Sequence, residues 1–460
     1  MHMATHRADN SWRAHFRATF ALGVPLIGAQ LAQLGIHTTD VVIVGRLGAV
    51  SLAALVLSSQ FFFTLFIFGS GFANAVMPMV AQAYGRGDPV AVRRAVRMGM
   101  WVVLIYSALM VPIFYNAESI LLYAGQKPEV AALAGGYLKI VQWGMAPALL
   151  FMTLRGLVSA VGRAGVVLYV TITILSINAF FAYALVLGRF GFPALGIEGA
   201  AIVSVAVNIL SFLLLTAYIQ WRPEMRRYEL FVRFWRPDWP AFREVVHLGL
   251  PISFTLLAEV SLFTGASLLM GNIGTLELAA HGIALQLASI AFMIPLGLAQ
   301  AGTVRVGVAH GRADHLAVVR ASLAVLAVAV VISIGGGLLF ASMPTTLAAI
   351  FLDEAGKDSA AVLAIAGPFV VIAGIFQLVD GLQAIAAGLL RGLKDTRIPM
   401  VMALISYWPI GFFCAWLFAF PGGFGGVGIW FGFVAGLAAA AILLNWRFYL
   451  LVRQEIPTRS

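Results

Sequence analysis

Twelve long stretches of the chain are almost entirely apolar, and short polar segments separate them. Each stretch holds about 20 residues or more, which is enough for an α-helix to cross a bilayer. Transmembrane strands would alternate apolar and polar residues, whereas Phe61–Phe63 and Leu213–Leu215 lie inside uniformly apolar runs. The pattern predicts an all-α integral membrane protein with transmembrane helices at 17–43, 52–81, 97–122, 133–154, 166–188, 196–220, 245–272, 278–304, 318–343, 362–389, 398–419 and 427–452.

The composition favours the same conclusion. Hydrophobic residues make up 61% of the 460 residues and charged residues 10%, and the mean hydropathy is +0.96. An ordinary soluble domain has about 45–50% apolar and about 25% charged residues. A soluble chain must cover its surface with charge, so the outer surface of this protein faces the lipid bilayer. The single cysteine, Cys414, excludes a disulfide scaffold.

The positive charges lie mainly on one side of the predicted membrane. By the predicted spans, roughly 24 of the 29 Lys and Arg residues fall on that side, among them Arg86, Arg155, Arg222, Arg305 and Arg391. Cytoplasmic loops are enriched in Lys and Arg, so we expect both termini to be cytoplasmic. The net charge of +10 is therefore a topology signal, and no nucleic-acid partner is needed to explain it.

The two halves of the chain repeat the same short motifs in the same order. The motif pairs are Leu22–Pro25 with Leu248–Pro251, Gly85-Arg86-x-Asp88 with Gly311-Arg312-x-Asp314, and Leu154–Leu157 with Leu390–Leu393. Each half has about six spans, an even number, which predicts parallel repeats related by an axis along the membrane normal. We expect two six-helix lobes, 1–220 and 244–460, joined by a cytoplasmic linker at 221–243.

Three acidic side chains lie inside predicted membrane spans: Asp40, Glu259 and Asp380. Each costs about 2.5–3.5 kcal/mol near the bilayer centre even on the gentlest scale, so all three should face protein or water. Carboxylates in such a place can bind and release a proton, or ligate a hard cation such as Na⁺ with neighbouring oxygens. They repel anions and attract cations, including organic ones. Alternatively, each carboxylate only hydrogen-bonds a neighbouring helix.

Further polar and aromatic side chains are candidates to support the carboxylates or to line a substrate site: Gln33, His37, Asn178, Thr255, Phe263, Gln286, Phe376 and Gln377. Gln33 and His37 share a helix face with Asp40, and we expect His37 to orient that carboxylate. Hydrogen bonding between helices explains the polar members of this set equally well. For any single aromatic residue, core or lipid-facing packing is the more common explanation.

Motifs for other kinds of chemistry are missing from the sequence. None of the four lysines lies in a phosphate-binding G-x-x-x-x-G-K-[ST] loop, so an ion gradient should supply the energy. Gly423-x-Gly425-x-x-Gly428 matches a dinucleotide fingerprint in letters, but it opens a membrane helix with no strand before it. The chain has no H-E-x-x-H, no G-x-S-x-G and no cysteine cluster. We expect no enzyme activity and no cofactor other than a coupling ion.

Several stretches resemble the multidrug and toxic compound extrusion (MATE) family, in particular its bacterial NorM-like branch. They are Gly35–Gly48, Leu257–Val260, Leu278–Gln286, Phe292–Gly297 and Leu390–Met400. The resemblance implies twelve helices in two six-helix lobes forming a V. It also implies export of cationic, amphipathic drugs in exchange for Na⁺ or H⁺ across the bacterial inner membrane.

The resemblance also suggests roles for the three acidic residues. By position, Asp40 matches the acidic residue of the family's N-terminal lobe. Glu259 and Asp380 match the acidic pair of its C-terminal lobe, where NorM-like relatives are thought to bind the coupling ion. Some relatives carry a tyrosine where Phe376 stands, and others a second carboxylate near Asn178. Both departures leave Na⁺ and H⁺ open as coupling ions.

We therefore expect a secondary-active multidrug efflux antiporter that is monomeric and needs no ATPase subunit. Its partners would be small cationic hydrophobic substrates and the lipid bilayer. Two alternatives stay open. A flippase for lipid-linked sugars has a similar architecture but should place Arg or Lys in its cavity. An intramembrane enzyme would use Asp40 and His37, although no second catalytic group can be assigned.

Overall fold

The computed structural model describes residues 11–352 and 358–455, and within these ranges the chain is all-helical with no strand. The helices are α1 (Trp12–Gly45), α2 (Ala49–Gly85), α3 (Pro89–Tyr115), α4 (Ala117–Tyr123), α5 (Pro128–Val141), α6 (Met145–Ala160), α7 (Ala164–Leu187), α8 (Gly196–Trp221), α9 (Pro223–Arg226), α10 (Trp239–Ile273), α11 (Thr275–Gly311), α12 (His315–Ser342), α13 (Pro344–Ala349), α14 (Ser359–Gly392), α15 (Arg397–Ile405), α16 (Phe413–Ala419) and α17 (Gly425–Glu455).

Twelve helical segments of the described chain are long and apolar enough to cross a membrane, which confirms the number expected from the sequence. Two of them are interrupted. A 3₁₀ turn at Gln142–Gly144 separates α5 from α6, and a π-helical turn at Ser406–Phe412 separates α15 from α16. Pro409 lies inside that π-helical turn, where the missing N–H of proline disturbs the regular α-helical hydrogen bonds. The extreme termini, predicted to be cytoplasmic, lie outside the described residues.

The predicted span 97–122 is too long at its end, because α3 stops at Tyr115 and α4 is a separate short helix. The Asn116 side chain donates a hydrogen bond to the Pro112 carbonyl, 2.8 Å away. A side chain that satisfies a carbonyl of the last turn stabilises a helix end. The predicted span ran past this end because the apolar residues Ile120–Leu122 follow the polar residues Asn116, Glu118 and Ser119.

The repeated Gly-Arg-x-Asp motif forms the same turn in both halves. Asp88 Oδ1 accepts a hydrogen bond from the Ala91 amide at the start of α3, and Asp314 Oδ1 accepts one from the Ala317 amide at the start of α12. Both distances are 2.9 Å. An aspartate at this position satisfies one of the free N–H groups at a helix start. The motif therefore recurs because it ends one membrane helix and begins the next.

The described residues form two compact units. The N unit is Gly28–Phe254, and the C unit contains the described residues up to Ile27 and from Thr255 onward. The first part of α1 thus belongs to the C unit and the first part of α10 to the N unit. Each helix changes unit shortly after its internal proline, Pro25 or Pro251. The lobe boundaries drawn from the repeat stay a prediction.

Glycines at equivalent repeat positions bring helices into close contact within each unit. In the N unit, a Cβ on Gly71 of α2 would lie 2.4 Å from the backbone nitrogen of Ser253 in α10. In the C unit, a Cβ on Gly297 of α11 would lie 2.6 Å from the backbone nitrogen of Ile27 in α1. Small residues at such contacts are typical of membrane helix packing.

Candidate functional site

Two of the predicted acidic residues come together in the C unit. Glu259 lies on α10 and Asp380 on α14, and the two carboxylates interact electrostatically. The Asp380 side chain is buried, with 4% of its surface exposed, and Glu259 is half-buried. Asp380 Oδ1 has no hydrogen-bond partner among the described residues. A buried carboxylate oxygen without a donor is costly, so this atom is suited to accept a proton or a cation.

A cavity of about 150 Å³ lies next to Asp380. Its lining consists of Ala291, Phe292, Ile294, Pro295, Ile332, Ser333, Gly336, Gln377 and Asp380. Pockets for drug-sized molecules have volumes of about 300–1,000 Å³. The cavity therefore suits a small cation with a few waters and is too small for an amphipathic drug. Its polar lining comes from one carboxylate, one amide and one hydroxyl group.

Glycines in α12 and α14 make room for these polar side chains. A Cβ on Gly336 would lie 2.8 Å from Gln377 Oε1, and a Cβ on Gly381 would lie 2.9 Å from Ser333 Oγ. Gly337 and Gly374 let the two helix backbones approach each other directly, since a Cβ on either would lie 2.9 Å from the carbonyl oxygen of the other. Of the run Gly335–Gly337, Gly336 lines the cavity and Gly337 brings α12 close to α14.

An arginine and a tyrosine complete the charged cluster, and the sequence reasoning did not assign either of them to a site. Arg391, near the end of α14, interacts electrostatically with Glu259. Tyr407 is fully buried on the π-helical turn and interacts with both carboxylates and with Arg391. Its hydroxyl accepts a hydrogen bond from Gln383. Among the described residues, Arg391 forms no ion pair with Glu259 or Asp380, so its charge does not lock either carboxylate.

Aromatic rings pack close to the carboxylates along both helices. Phe263 lies one helical turn after Glu259 on α10, and Phe376 lies one helical turn before Asp380 on α14. Their ring centroids are 6.1 Å apart, and Phe433 packs against both, at 5.2 and 6.0 Å. Phe376 and Phe433 are buried, and apolar surroundings of this kind strengthen electrostatic interactions nearby. Phe376 is 2% exposed, so its ring packs inside the C unit.

The third acidic residue has its own partner in the N unit. Asn178 Nδ2 of α7 donates a hydrogen bond to Asp40 Oδ1 of α1 at 2.8 Å, and Asn178 is 0% exposed. Among the described residues, Asp40 accepts this hydrogen bond from Asn178 and none from His37, whose side chain is exposed. A role for His37 in orienting Asp40 stays a prediction. Gln33 is exposed as well. The helix-face pattern placed Gln33 and His37 beside Asp40 along α1 but carried no information on the packing of α7.

Two remaining candidates stand on the helices of the C unit. Thr255 is buried on α10, one turn before Glu259, and Gln286 is half-buried on α11. Neither lines the cavity at Asp380. In the described ranges, no three His, Cys, Asp or Glu side chains converge as they would at a transition-metal site. Oxygen ligands for a cation would thus combine carboxylates with amide and hydroxyl groups.

Several arginines at or beyond the ends of predicted spans lie within the observed helices, among them Arg155 in α6, Arg305 in α11 and Arg391 in α14. Arg155 is buried and donates to Gln30 Oε1 at 2.6 Å. A prediction from hydropathy ends a span at an arginine, whereas the observed helix α6 continues through Arg155, whose charge is paired with a polar side chain. The signal that could have identified Arg155 and Arg391 is the Leu-Arg-Gly-Leu motif, which occurs once in each half.

Comparison with known proteins gives one family across the chain. The MatE family model matches twice, at residues 25–184 and 251–417, and the matches begin at the two repeat prolines. A "Probable multidrug resistance protein NorM" from Rhizobium meliloti is 67% identical and covers 97% of this chain and 96% of that protein. A protein of the same name from Agrobacterium fabrum is 65% identical, covering 98% and 97%.

Solved structures share the fold at low sequence identity. The eukaryotic MATE transporter AtDTX14 superposes with a TM-score of 0.86 at 19% identity, covering 96% of this chain and 98% of that one. A MOP superfamily transporter from Pyrococcus furiosus superposes with a TM-score of 0.88 at 18% identity, covering 96% and 97%. These structures share the twelve-helix architecture over almost the whole chain.

Proposed function

The chain belongs to the MatE family, and on that premise we propose that it exports cationic, amphipathic compounds in exchange for Na⁺ or H⁺. Family membership makes it a multi-pass membrane transporter rather than an enzyme. The multidrug role is supported by relatives named multidrug resistance proteins that are 67% and 65% identical over nearly its full length.

The observation that carries the proposed coupling is the charge balance around Glu259 and Asp380. Two carboxylates and one guanidinium, that of Arg391, interact in the same cluster of the C unit. With both acids ionised, these three groups sum to one net negative charge. One proton or one Na⁺ neutralises it. Neutralisation by a single monovalent ion is the property that a coupling site needs, because each binding event then changes the cluster between charged and neutral.

The cavity beside Asp380 supports an ion there rather than a drug. Asp380 Oδ1, Gln377 and Ser333 offer the oxygen atoms that a hard cation prefers. Phe376 contributes no oxygen, although some relatives of the family have a tyrosine at this position. Na⁺ at Glu259 and Asp380 and a proton on either carboxylate therefore stay alternative forms of the same proposal.

Coupling requires that the ion and the substrate bind two conformations with different affinity. We infer that ion binding at Glu259 and Asp380 competes with the cationic substrate or biases the protein between outward-open and inward-open states. A charge moved across 100 mV is worth about 2.3 kcal/mol. At about 1.4 kcal/mol per tenfold, this sustains roughly a fiftyfold substrate gradient. An ion gradient is thus a sufficient source of energy without an ATPase subunit.

Asp40 is the second proposed coupling group, with Asn178 as its partner. For Gln33, His37, Thr255, Phe263, Gln286, Phe376 and Gln377 we propose supporting or substrate-lining roles. We further propose two lobes at 1–220 and 244–460, a cytoplasmic linker at 221–243, and a monomer. The protein would lie in a bacterial inner membrane with both termini in the cytoplasm.

Dye export from reconstituted vesicles tests the proposal. Na⁺ and proton gradients are imposed separately, and we expect one of them to drive export. Glu259→Gln and Asp380→Asn should each abolish gradient-driven export while the protein stays folded. The exposed residues Glu129 and Asp358 provide matched controls, Glu129→Gln and Asp358→Asn, which should keep wild-type activity. Export that ignores both gradients, or full activity of both cluster variants, would overturn the proposed coupling.

A further inference from the structure

The segment 221–243, called the linker here, has an inner face that packs against the N unit. Its side chains Met225, Tyr228 and Leu230 are buried. Trp101 of α3 donates a hydrogen bond from Nε1 to the Phe234 carbonyl at 3.0 Å. Side chains of α3 thus hold the backbone of the linker in place, and the linker has a defined outer face.

The negative charges of the linker are neutralised by arginines of the N unit that lie outside the linker. It contains three acidic residues, and all three form ion pairs with arginines of neighbouring helices: Glu224 with Arg163, Glu229 with Arg93, and Asp238 with Arg94. These pairs attach the linker to α3 and to the start of α7. As a result, no acidic side chain of the linker is left to balance its own arginines.

The outer face of the linker carries positive charge and indole rings. Arg222, Arg226, Arg233 and Arg236 are exposed, and none of them is in an ion pair in the part of the chain that the structure describes. Trp221 is 89% exposed and Trp235 is 73% exposed. Large exposed indoles beside unpaired arginines indicate a binding surface rather than a surface selected for solubility.

The position of this face determines what it meets. The linker joins the end of α8 to the start of α10, two helices long and apolar enough to cross the bilayer, so it lies at the membrane surface. Tryptophan is enriched at the headgroup level of membranes, and clusters of four to eight Lys or Arg beside a membrane helix attract anionic lipids. We propose that the outer face of the linker binds the phosphate headgroups of anionic phospholipids, with Trp221 and Trp235 inserted between them.

Titration of lipids into the purified full-length protein in neutral detergent tests this surface. The readouts are the unfolding temperature and the number of lipids retained in native mass spectrometry. Phosphatidylglycerol should raise the unfolding temperature, whereas phosphatidylcholine and inorganic phosphate should have little effect. An arginine at an anionic membrane surface contributes about 1 kcal/mol, or about fivefold in affinity. Replacing Arg222, Arg226, Arg233 and Arg236 by glutamine should therefore weaken phosphatidylglycerol binding by more than about a hundredfold.

Two further variants separate this site from a general charge effect. The quadruple lysine variant at the same four positions keeps the charge and should retain most of the response. A control with glutamine at the exposed residues Arg17, Arg86, Arg312 and Arg453 loses the same charge outside the linker and should respond like the wild type. The proposal is overturned if the linker glutamine variant keeps the wild-type response or if the control loses as much. It is also overturned if phosphatidylcholine or inorganic phosphate alone reproduces the stabilisation.

Discussion

Replacing Gly297 by alanine tests the close contact between α1 and α11 in the C unit. The added Cβ would lie 2.6 Å from Ile27 N and 2.7 Å from Ile27 Cα, against about 3.5–4.0 Å for an ordinary contact. Because both are backbone atoms, no change of rotamer relieves the overlap, and a helix must shift. Overpacking of this kind costs about 1–3 kcal/mol, which is about fivefold to 150-fold in the unfolding equilibrium constant.

Gly282→Ala in the same helix is the matched control, because a Cβ there has no neighbour within 4 Å. Alanine is favoured over glycine in a helix by about 1 kcal/mol, and this gain is common to both variants. The difference in free energy of unfolding between the two variants therefore isolates the steric cost. Denaturant unfolding in detergent, followed by tryptophan fluorescence, measures it. Equal stability of the two variants would refute the close contact.

Two further predictions concern the N unit and its linker. Asn178→Leu should destabilise the protein by about 1.5–3 kcal/mol, because it removes a hydrogen bond to a charged group. The cost should shrink when Asp40 is also replaced by leucine, and additive effects in this double-mutant cycle would contradict the pairing. The hydrogen bond from Arg94 holds the pKa of Asp238 below its usual value, so its stabilisation is present above about pH 4 and is lost as the pH falls through the lowered pKa. Asp238 Oδ1 also accepts a hydrogen bond from the Ala241 amide at the start of α10, at 3.2 Å, and asparagine can accept the same bond. Asp238→Asn should therefore lose only the ion pair and cost about 0.2–1 kcal/mol at pH 7. Its stability should converge with that of the wild type in strong acid, and a constant difference across pH would count against the ion pair.

The fold was predictable because it depends on patterns that extend over many residues. Twelve apolar stretches gave the number of spans, and the repeated Gly-Arg-x-Asp motif marked a helix start in each half, now seen at Asp88 and Asp314. Single-residue features were not predictable in the same way. The Asn116 side chain ends α3 within a segment that was predicted as one span, and the π-helical turn around Pro409 looks like an ordinary helix in the sequence.

The site was predictable only in part. The cost of placing an acid in the membrane identified Glu259 and Asp380, and the structure brings them together. Arg391 was not identified, because the positive-inside rule assigns arginines to loops and does not show which of them lie near a carboxylate inside a helix bundle. Tyr407 was missed since a buried tyrosine in an apolar span has no distinctive pattern. The partner of Asp40 depends on the packing of α7 against α1, which a pattern along α1 does not contain.

The most direct test of ion exchange is to drive the ion with the substrate. Vesicles with the reconstituted protein start without any ion gradient, a cationic dye gradient is imposed, and Na⁺ and H⁺ movements are recorded together. The account predicts that dye flow moves one of these ions in the opposite direction in the wild type and moves neither in Asp380→Asn. Dye that crosses through the wild-type protein with no counter-movement of either ion would contradict it, as would unchanged ion movement in Asp380→Asn.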